Sequence, residues 1–273
     1  MRYETVQKLK NKDFKRSTSV RHSTFEKMLE IVETGLRNFG RPPKLSRADQ
    51  LLLTLMYWRE YRTEFHVGLT YDVSEATVCR TIKKIEDVLM KSKQFHLPGK
   101  KALQSSDTLI EIVLVDATEQ PIERPKKGQR RHYSGKKKRH TQKAQLIANL
   151  NTEEILATDF CIGSKHDFKL FKQSCCGISR QTCVLGDSGY QGLAELHPNS
   201  QTPAKKSKLH PLSQEQKASN RALSQKRILV ENIIRRLKIF RILSERYRNR
   251  RKRFGLRFNL IAAICNMELK TKL

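Results

Sequence analysis

Three acids and two cations stand out for the chemistry they could perform together. Asp116 follows the apolar, β-branched run Leu109 to Val115, and Asp187 follows the run Thr182 to Leu185 within Gly186-Asp187-Ser188-Gly189. Glu231 lies in a long helical stretch, with Arg227 four residues before it and Lys238 seven after. At about 100° per helical residue, those offsets hold all three within about 40° on one face. Carboxylates crowded together repel one another and resist ionising. A divalent cation removes that penalty and takes oxygen ligands. Two such ions about 4 Å apart can activate a water or a 3′-hydroxyl and stabilise the departing oxygen of a phosphodiester. Each residue also has a plainer reading. An aspartate at a strand end can simply cap a turn, and Arg227 with Glu231 can be a surface helix pair contributing a few tenths of a kcal/mol.

The elements that must position these groups follow from the apolar pattern. The run before Asp116 reads as a buried strand with an acid at its tip. Gln145 to Leu150 and Ile155 to Ile162 read as further strands joined by the turn Asn151 to Glu154, and Asp167 to Gln173 as a short helix. Thr182 to Leu185 reads as another strand, and Ser213 caps a helical stretch extending to about Glu245. Strands, a helix, a strand and a long helix indicate a mixed α/β domain, in which tips of neighbouring strands can share one sheet edge.

The chain before Pro98-Gly99 reads differently. Phe25, Met28, Leu29, Ile31 and Val32 recur at helical spacing, and Gly40, Pro42 and Pro43 then break the chain. Ser46 caps a helix to about Trp58, a shorter helix covers about Thr63 to Leu69, and Ser74 caps a third helix reaching Leu89. Helix, short turn and capped helix is the helix-turn-helix pattern. In the third helix Val78, Ile82, Ile85 and Leu89 form one apolar face. Thr77, Arg80, Thr81, Lys83 and Lys84 lie mostly elsewhere, where they suit base edges and phosphates; an ordinary amphipathic surface helix would look the same. The expected division is a helical domain over 1–98, with the helix-turn-helix at about 46–90, and an α/β domain over 105–273.

Charge narrows the partner. The 273 residues carry 55 Lys plus Arg against 27 Asp plus Glu, a formal charge of +28. Such an excess repels itself unless an anion neutralises it, and nucleic acid is the first candidate because each neutralised phosphate releases counterions. Basic blocks lie at Pro125 to Arg131, at Lys136, Lys137, Lys138, Arg139 and His140, and at Arg246 to Arg253. No apolar run approaches the ~20 residues of a membrane span, and the first residues lack the apolar core of a signal peptide. A cytoplasmic, nucleoid-associated protein is therefore expected. The six cysteines form no CxxC pair and have no zinc spacing, and are read as reduced and structural. Asp159 and Asp167 are read as surface or capping acids. His132 and His140 are placed outside the reacting set, and His166 is left unassigned.

Five segments together resemble the DDE-superfamily transposases of bacterial insertion sequences, nearest to the group named for insertion sequence five. They are Val115-Asp-Ala-Thr-Glu-Gln-Pro-Ile-Glu-Arg-Pro, Tyr133-Ser-Gly-Lys-Lys-Lys-Arg-His-Thr, Gly163-Ser-Lys-His-Asp-Phe, Gly186-Asp-Ser-Gly-Tyr-Gln-Gly and Arg227-Ile-Leu-Val-Glu-Asn-Ile-Ile-Arg-Arg-Leu-Lys. They occur in the family's order, behind a helix-turn-helix. The resemblance implies an RNase H-like catalytic domain, a mixed sheet with flanking helices, preceded by an all-α helix-turn-helix domain. It carries the catalytic, metal-binding acids onto Asp116, Asp187 and Glu231, with two Mg2+ ions that Mn2+ can replace. The family's pattern of Tyr, Arg, Glu and Lys around the glutamate fits Arg227, Glu231 and Lys238, which would hold DNA phosphates; its tyrosine position holds Ser224. The implied activity is cleavage at the terminal inverted repeats of a mobile element. The freed 3′-hydroxyl then attacks target duplex DNA, in an assembly of at least two copies. An inert repressor derived from such an enzyme, or a basic structural protein binding nucleic acid generally, would share the charge but would not nick an end-bearing duplex.

Overall fold

The structure, a computed structural model, describes residues 2–37, 40, 42–104, 110–206, 211–249 and 251–270. Leu109, at the head of the first expected strand, and Arg250, in the last basic block, lie outside them. The chain packs as two compact units. One takes the residues up to His96 together with Leu237–Glu245 and the stretch from Asn249 onward; the other is Leu97–Arg236 with Arg246–Arg248.

The first unit is helical: α1 (Tyr3–Val6), α2 (Asn11–Thr18), α3 (His22–Gly35), α4 (Arg47–Glu60), α5 (Glu64–Tyr71) and α6 (Glu75–Lys91). The three later starts are where side-chain caps occur. Ser46 Oγ accepts from the Asp49 amide (3.0 Å), Thr63 Oγ1 from His66 (3.2 Å) and Ser74 Oγ from Thr77 (3.2 Å), each satisfying one otherwise orphaned N–H. Between α5 and α6 the chain turns through Asp72 in the left-handed region at φ 54. Gly68 makes that turn possible: a Cβ there would stand 2.6 Å from the Val73 carbonyl oxygen, so only glycine lets the turn fold back this closely. Val78, Ile82, Ile85 and Leu89 of α6 are wholly buried, as their spacing predicts.

The second unit is built on a sheet of β1 (Ile112–Pro121), β2 (Tyr133–Ser134), β3 (Arg139–Asn149), β4 (Ile155–Ile162), β5 (Cys183–Gly186) and β6 (Ser200–Gln201). Its helices are α7 (Gln129–His132), α8 (Asp167–Ser174), α9 (Leu193–Leu196) and α10 (Gln214–Lys238). β3 pairs antiparallel with both β1 and β4, whereas β1 and β5, and β5 and β6, are parallel. That order, a meander of three strands extended on one edge by two parallel strands, is the RNase H-like arrangement. Val113, Val115, Ile147, Val184, Phe171, Tyr190 and Leu193 form its core.

Three elements differ from the sequence expectation. β1 does not end at Asp116. It continues to Pro121 because β3 pairs with it from Val113 to Pro121. β3 begins at Arg139 rather than at Gln145, which makes the basic block Lys136–Lys138 the turn of a hairpin. The long helix starts where expected, with a reciprocal cap in which the Gln216 amide donates to Ser213 Oγ and the Ser213 amide to Gln216 Oε1, but stops at Lys238 rather than near Glu245.

The last helix, α11 (Phe254–Lys270), groups with the helical unit although the sequence pattern placed 105–273 in one domain. The reason is electrostatic as well as apolar. Glu86 of α6 has no exposure and takes Arg253 Nε (2.8 Å) and Arg257 Nε (2.6 Å). Glu268 of α11 takes Lys15, the Arg21 amide and Thr24. All six cysteines are free thiols. No described helix is long and apolar enough to cross a membrane.

Candidate active site

The site begins with strand register. β1 and β5 run parallel, and their last shared pair is Val115 with Gly186. The next residue of each strand is an aspartate, so Asp116 and Asp187 leave the pairing side by side where β5 ends. β1 continues on its other partner, which keeps Asp116 in the sheet. Asp187 instead turns into a short 3₁₀ helix over Ser188–Tyr190 and caps it, its Oδ1 accepting from the Gly189 amide at 2.8 Å.

Charge is crowded there. Burial pushes the Asp116 carboxyl up to about 6. The Ala117 amide, donating to Asp116 Oδ1 at 2.7 Å, opposes the rise, repulsion from Asp187 adds to it, Arg227 of α10 lowers it, and Asp167 raises it again. Tyr190 reports the same field. Its side chain is fully buried, and among the described residues its hydroxyl has no hydrogen-bond partner. Burial, then Asp116, Asp167 and Asp187, hold that hydroxyl well above the usual tyrosine range. Gly189 lies between two of the acids: a Cβ there would be 2.9 Å from Asp187 Oδ1 and 3.1 Å from Asp167 Oδ2.

These observations fit a divalent cation. Adjacent oxygen donors suit a hard ion, and the buried Tyr190 hydroxyl beside them is a polar group left unsatisfied. Asp116 and Asp187 are the donors the structure brings together. Glu231 is exposed on α10 one turn beyond Arg227, and among the described residues no group of three acids, histidines or cysteines stands ready around one ion. Ser224, at the family's tyrosine position, is exposed on the same helix.

Of the residues expected to meet DNA, Arg80 and Lys84 are exposed on α6 and Thr77 is half-buried. Thr81 is only 7% exposed and reaches the surface at the wall of a cleft. The cleft, of about 690 Å3, lies along this helix, lined by Thr77, Arg80, Thr81 and Lys84 with Lys44 and Gln50. Lys136, Lys137, Lys138 and Arg139 are all exposed on the β2–β3 hairpin. The last basic block is partly structural, since Arg253 pairs with Glu86 and Asp87 and Arg246 with Glu123.

Two acids read as surface or capping residues, Asp167 and Asp159, are ion-paired, and Glu119 and Lys143 drew no notice in the sequence. Asp167, expected at the surface or capping, is an ion-paired neighbour of the site with its side chain 20% exposed. Asp159 pairs with Lys100 at 2.7 Å. Glu119 and Lys143 face each other across β1 and β3 and are nearly buried. No apolar run marks their positions: Glu119 lies among Asp116, Thr118 and Gln120, and Lys143 among His140, Thr141, Gln142 and Gln145. Residues 141–144 therefore fell between the basic block ending at His140 and the strand expected from Gln145. His166 is exposed just ahead of α8 and makes no side-chain cap.

Comparison with known proteins identifies the family. Residues 107–266 match the family described as "Transposase DDE domain", and residues 43–93 match "Helix-turn-helix of DDE superfamily endonuclease". The chain is 47% identical over 275 residues to the "Probable transposase for insertion sequence element IS702" of Microchaete diplosiphon, covering 100% of both chains. Among solved structures it is similar to the Mos1 transposase paired-end complex with left transposon end, at 12% identity over 61% of each chain and a TM-score of 0.21. The Mos1 mariner paired-end complex with Mn aligns at 13% identity over 92% of this chain and 87% of that one, also with a TM-score of 0.21.

Proposed function

Since the chain belongs to the DDE transposase family and carries that superfamily's helix-turn-helix, we propose that Asp116, Asp187 and Glu231 are the acids with which it cleaves and transfers DNA strands. The observation that supports this most is the β1–β5 register, which sets Asp116 beside Asp187 with the Asp116 carboxyl lifted to about 6. Asp116 and Asp187 would hold Mg2+, two ions in the working site, with Glu231 completing the ligand set from α10. Bound there, the ions supply Lewis acidity to a water or 3′-hydroxyl and charge to the departing oxygen. Arg227, whose charge bears on Asp116, would hold a DNA phosphate, and Lys238 would do the same further along the helix.

End recognition is assigned to residues 1–98, through Thr77, Arg80 and Lys84 of α6, and the chemistry to 105–273. The exposed cations of the β2–β3 hairpin add sequence-independent grip on phosphates. The substrate is duplex DNA bearing the terminal inverted repeats of the element, with target DNA as the second substrate. Two ends must be held together, which calls for at least a dimer, working in the cytoplasm at the nucleoid.

The test is a duplex carrying one element end, incubated with the full chain and Mg2+ or Mn2+. Wild type should nick at the end, and Asp116→Ala, Asp187→Ala and Glu231→Ala should shift the duplex in a gel but leave it uncut. Cleavage retained by any of the three removes that residue from the set. A wild type that binds and never nicks would make the protein a repressor.

A further inference from the structure

Lys143 is unlike the other basic residues. Its side chain is 9% exposed; its ammonium donates to Asp167 Oδ1 at 2.8 Å and to the Lys165 carbonyl oxygen at 2.5 Å, and it forms an ion pair with Glu119 Oε1 at 3.6 Å. It is thus unavailable to DNA. Glu119 is occupied too, because its other oxygen accepts from Thr141 Oγ1 at 2.9 Å. Among the described residues Asp167 Oδ2 takes no hydrogen bond. It points toward Gly189, close to the same spot as Asp187 Oδ1.

We propose that Lys143 and Asp167 are a positioning pair for the cation site: Lys143 grips one carboxylate oxygen of Asp167 so that the other stands fixed beside Asp187. The inference rests on the reading of Asp116 and Asp187 as cation ligands. Hydrated Mg2+ gives up its waters reluctantly, so a carboxylate just outside the ligand set serves as their acceptor and fixes the ligand beside it. Lys143 suits the clamp because it comes from β3, directly opposite Glu119 in the β1 pairing, while Asp167 comes from the first turn of α8. One ammonium therefore ties two strands and a helix to a single carboxylate orientation.

Titration calorimetry of the full chain with Mn2+ alone, without DNA, tests this. Asp167→Asn keeps a carbonyl oxygen for Lys143 and should fold like wild type, yet bind Mn2+ about 10–100-fold more weakly. Lys143→Met should weaken Mn2+ binding as well, although it removes a positive charge from the neighbourhood; Lys143→Arg should recover part of it. If Lys143 merely neutralised charge, Lys143→Met would bind Mn2+ more tightly, and the positioning role would be wrong. Unchanged Mn2+ affinity in Asp167→Asn overturns the proposal in any case, and that variant decides alone if Lys143→Met does not melt cooperatively. Asp116→Asn separates the two levels. If it abolishes Mn2+ binding while Asp167→Asn does not weaken it, only the positioning pair fails. If Asp116→Asn binds as wild type does, the cation site itself has been misplaced and the pair falls with it.

Discussion

Asp116 holds its proton more tightly folded than unfolded, and this has a measurable consequence for stability. Its ordinary value of 3.8 rises to about 6 through burial first, then repulsion from Asp187 and Asp167. Between those two values the native state binds more protons than the unfolded chain, so stability falls as pH rises through the window. The full penalty, about 3 kcal/mol from the shift, applies above pH 6 and vanishes below pH 4. Asp116→Asn should therefore melt at a higher temperature than wild type at pH 8 in EDTA, and no higher at pH 4, by scanning calorimetry. Equal melting at pH 8 would mean that the carboxyl is not strained. Gly189 offers a second residue-scale test. A methyl group there would sit against Asp187 Oδ1 and Asp167 Oδ2, so Gly189→Ala should spread the two carboxylates. A displacement approaching 1 Å at a reacting centre can lower turnover by about 100-fold. End cleavage should fall toward that extent while gel-shift affinity for the same duplex is unchanged.

Among the elements, α6 carries the clearest structural logic. Ser74 caps it, Gly68 lets the preceding turn close, and four apolar residues at helical spacing bury one face. Ser74→Ala should lower stability by about 1 kcal/mol, and because this is the helix assigned to DNA, end affinity should fall with it. A melting temperature equal to wild type would show that the cap is redundant. Caps, turns and apolar faces of this kind are legible in a sequence because they are set by residues within a turn or two of one another. Strand length was not legible in the same way. β1 overran its expected end at Asp116 because β3, more than twenty residues later, supplies hydrogen bonds as far as Pro121. α10 stopped early, at Lys238, with a 3₁₀ turn over Arg241–Leu243 following it.

Across the whole molecule the excess of positive charge is the dominant property, and it concerns binding more than folding. Each phosphate neutralised should steepen the fall of log affinity with log salt by about 0.9. Lys136→Ala and Lys138→Ala together should therefore reduce the slope by up to about 2 for any duplex, leaving the preference for element ends intact. An unchanged slope would take the hairpin off the DNA. A few charges are committed to the fold instead. Glu86 takes Arg253, Arg257 and Trp58 Nε1 with no exposure to solvent, and Glu86→Ala should destabilise by about 3–5 kcal/mol because two arginines lose their buried partner; denaturant unfolding that moves less than this would mean the arginines find water.

What the sequence determined by itself was local or additive: the capped helices, the apolar strands, the net charge, and motifs whose order resembles a transposase. Asp116 and Asp187 were legible because an acid directly after an apolar run is a property of adjacent residues. The tertiary structure decided what depends on pairing between distant segments. It set Asp116 beside Asp187 through one strand register, drew in Asp167, read as a surface or capping acid, and Lys143, which no reading had singled out, buried Thr81, and grouped α11 with the helical unit. Proximity across many residues of chain follows from which surfaces bury each other, and no spacing within a single segment encodes it.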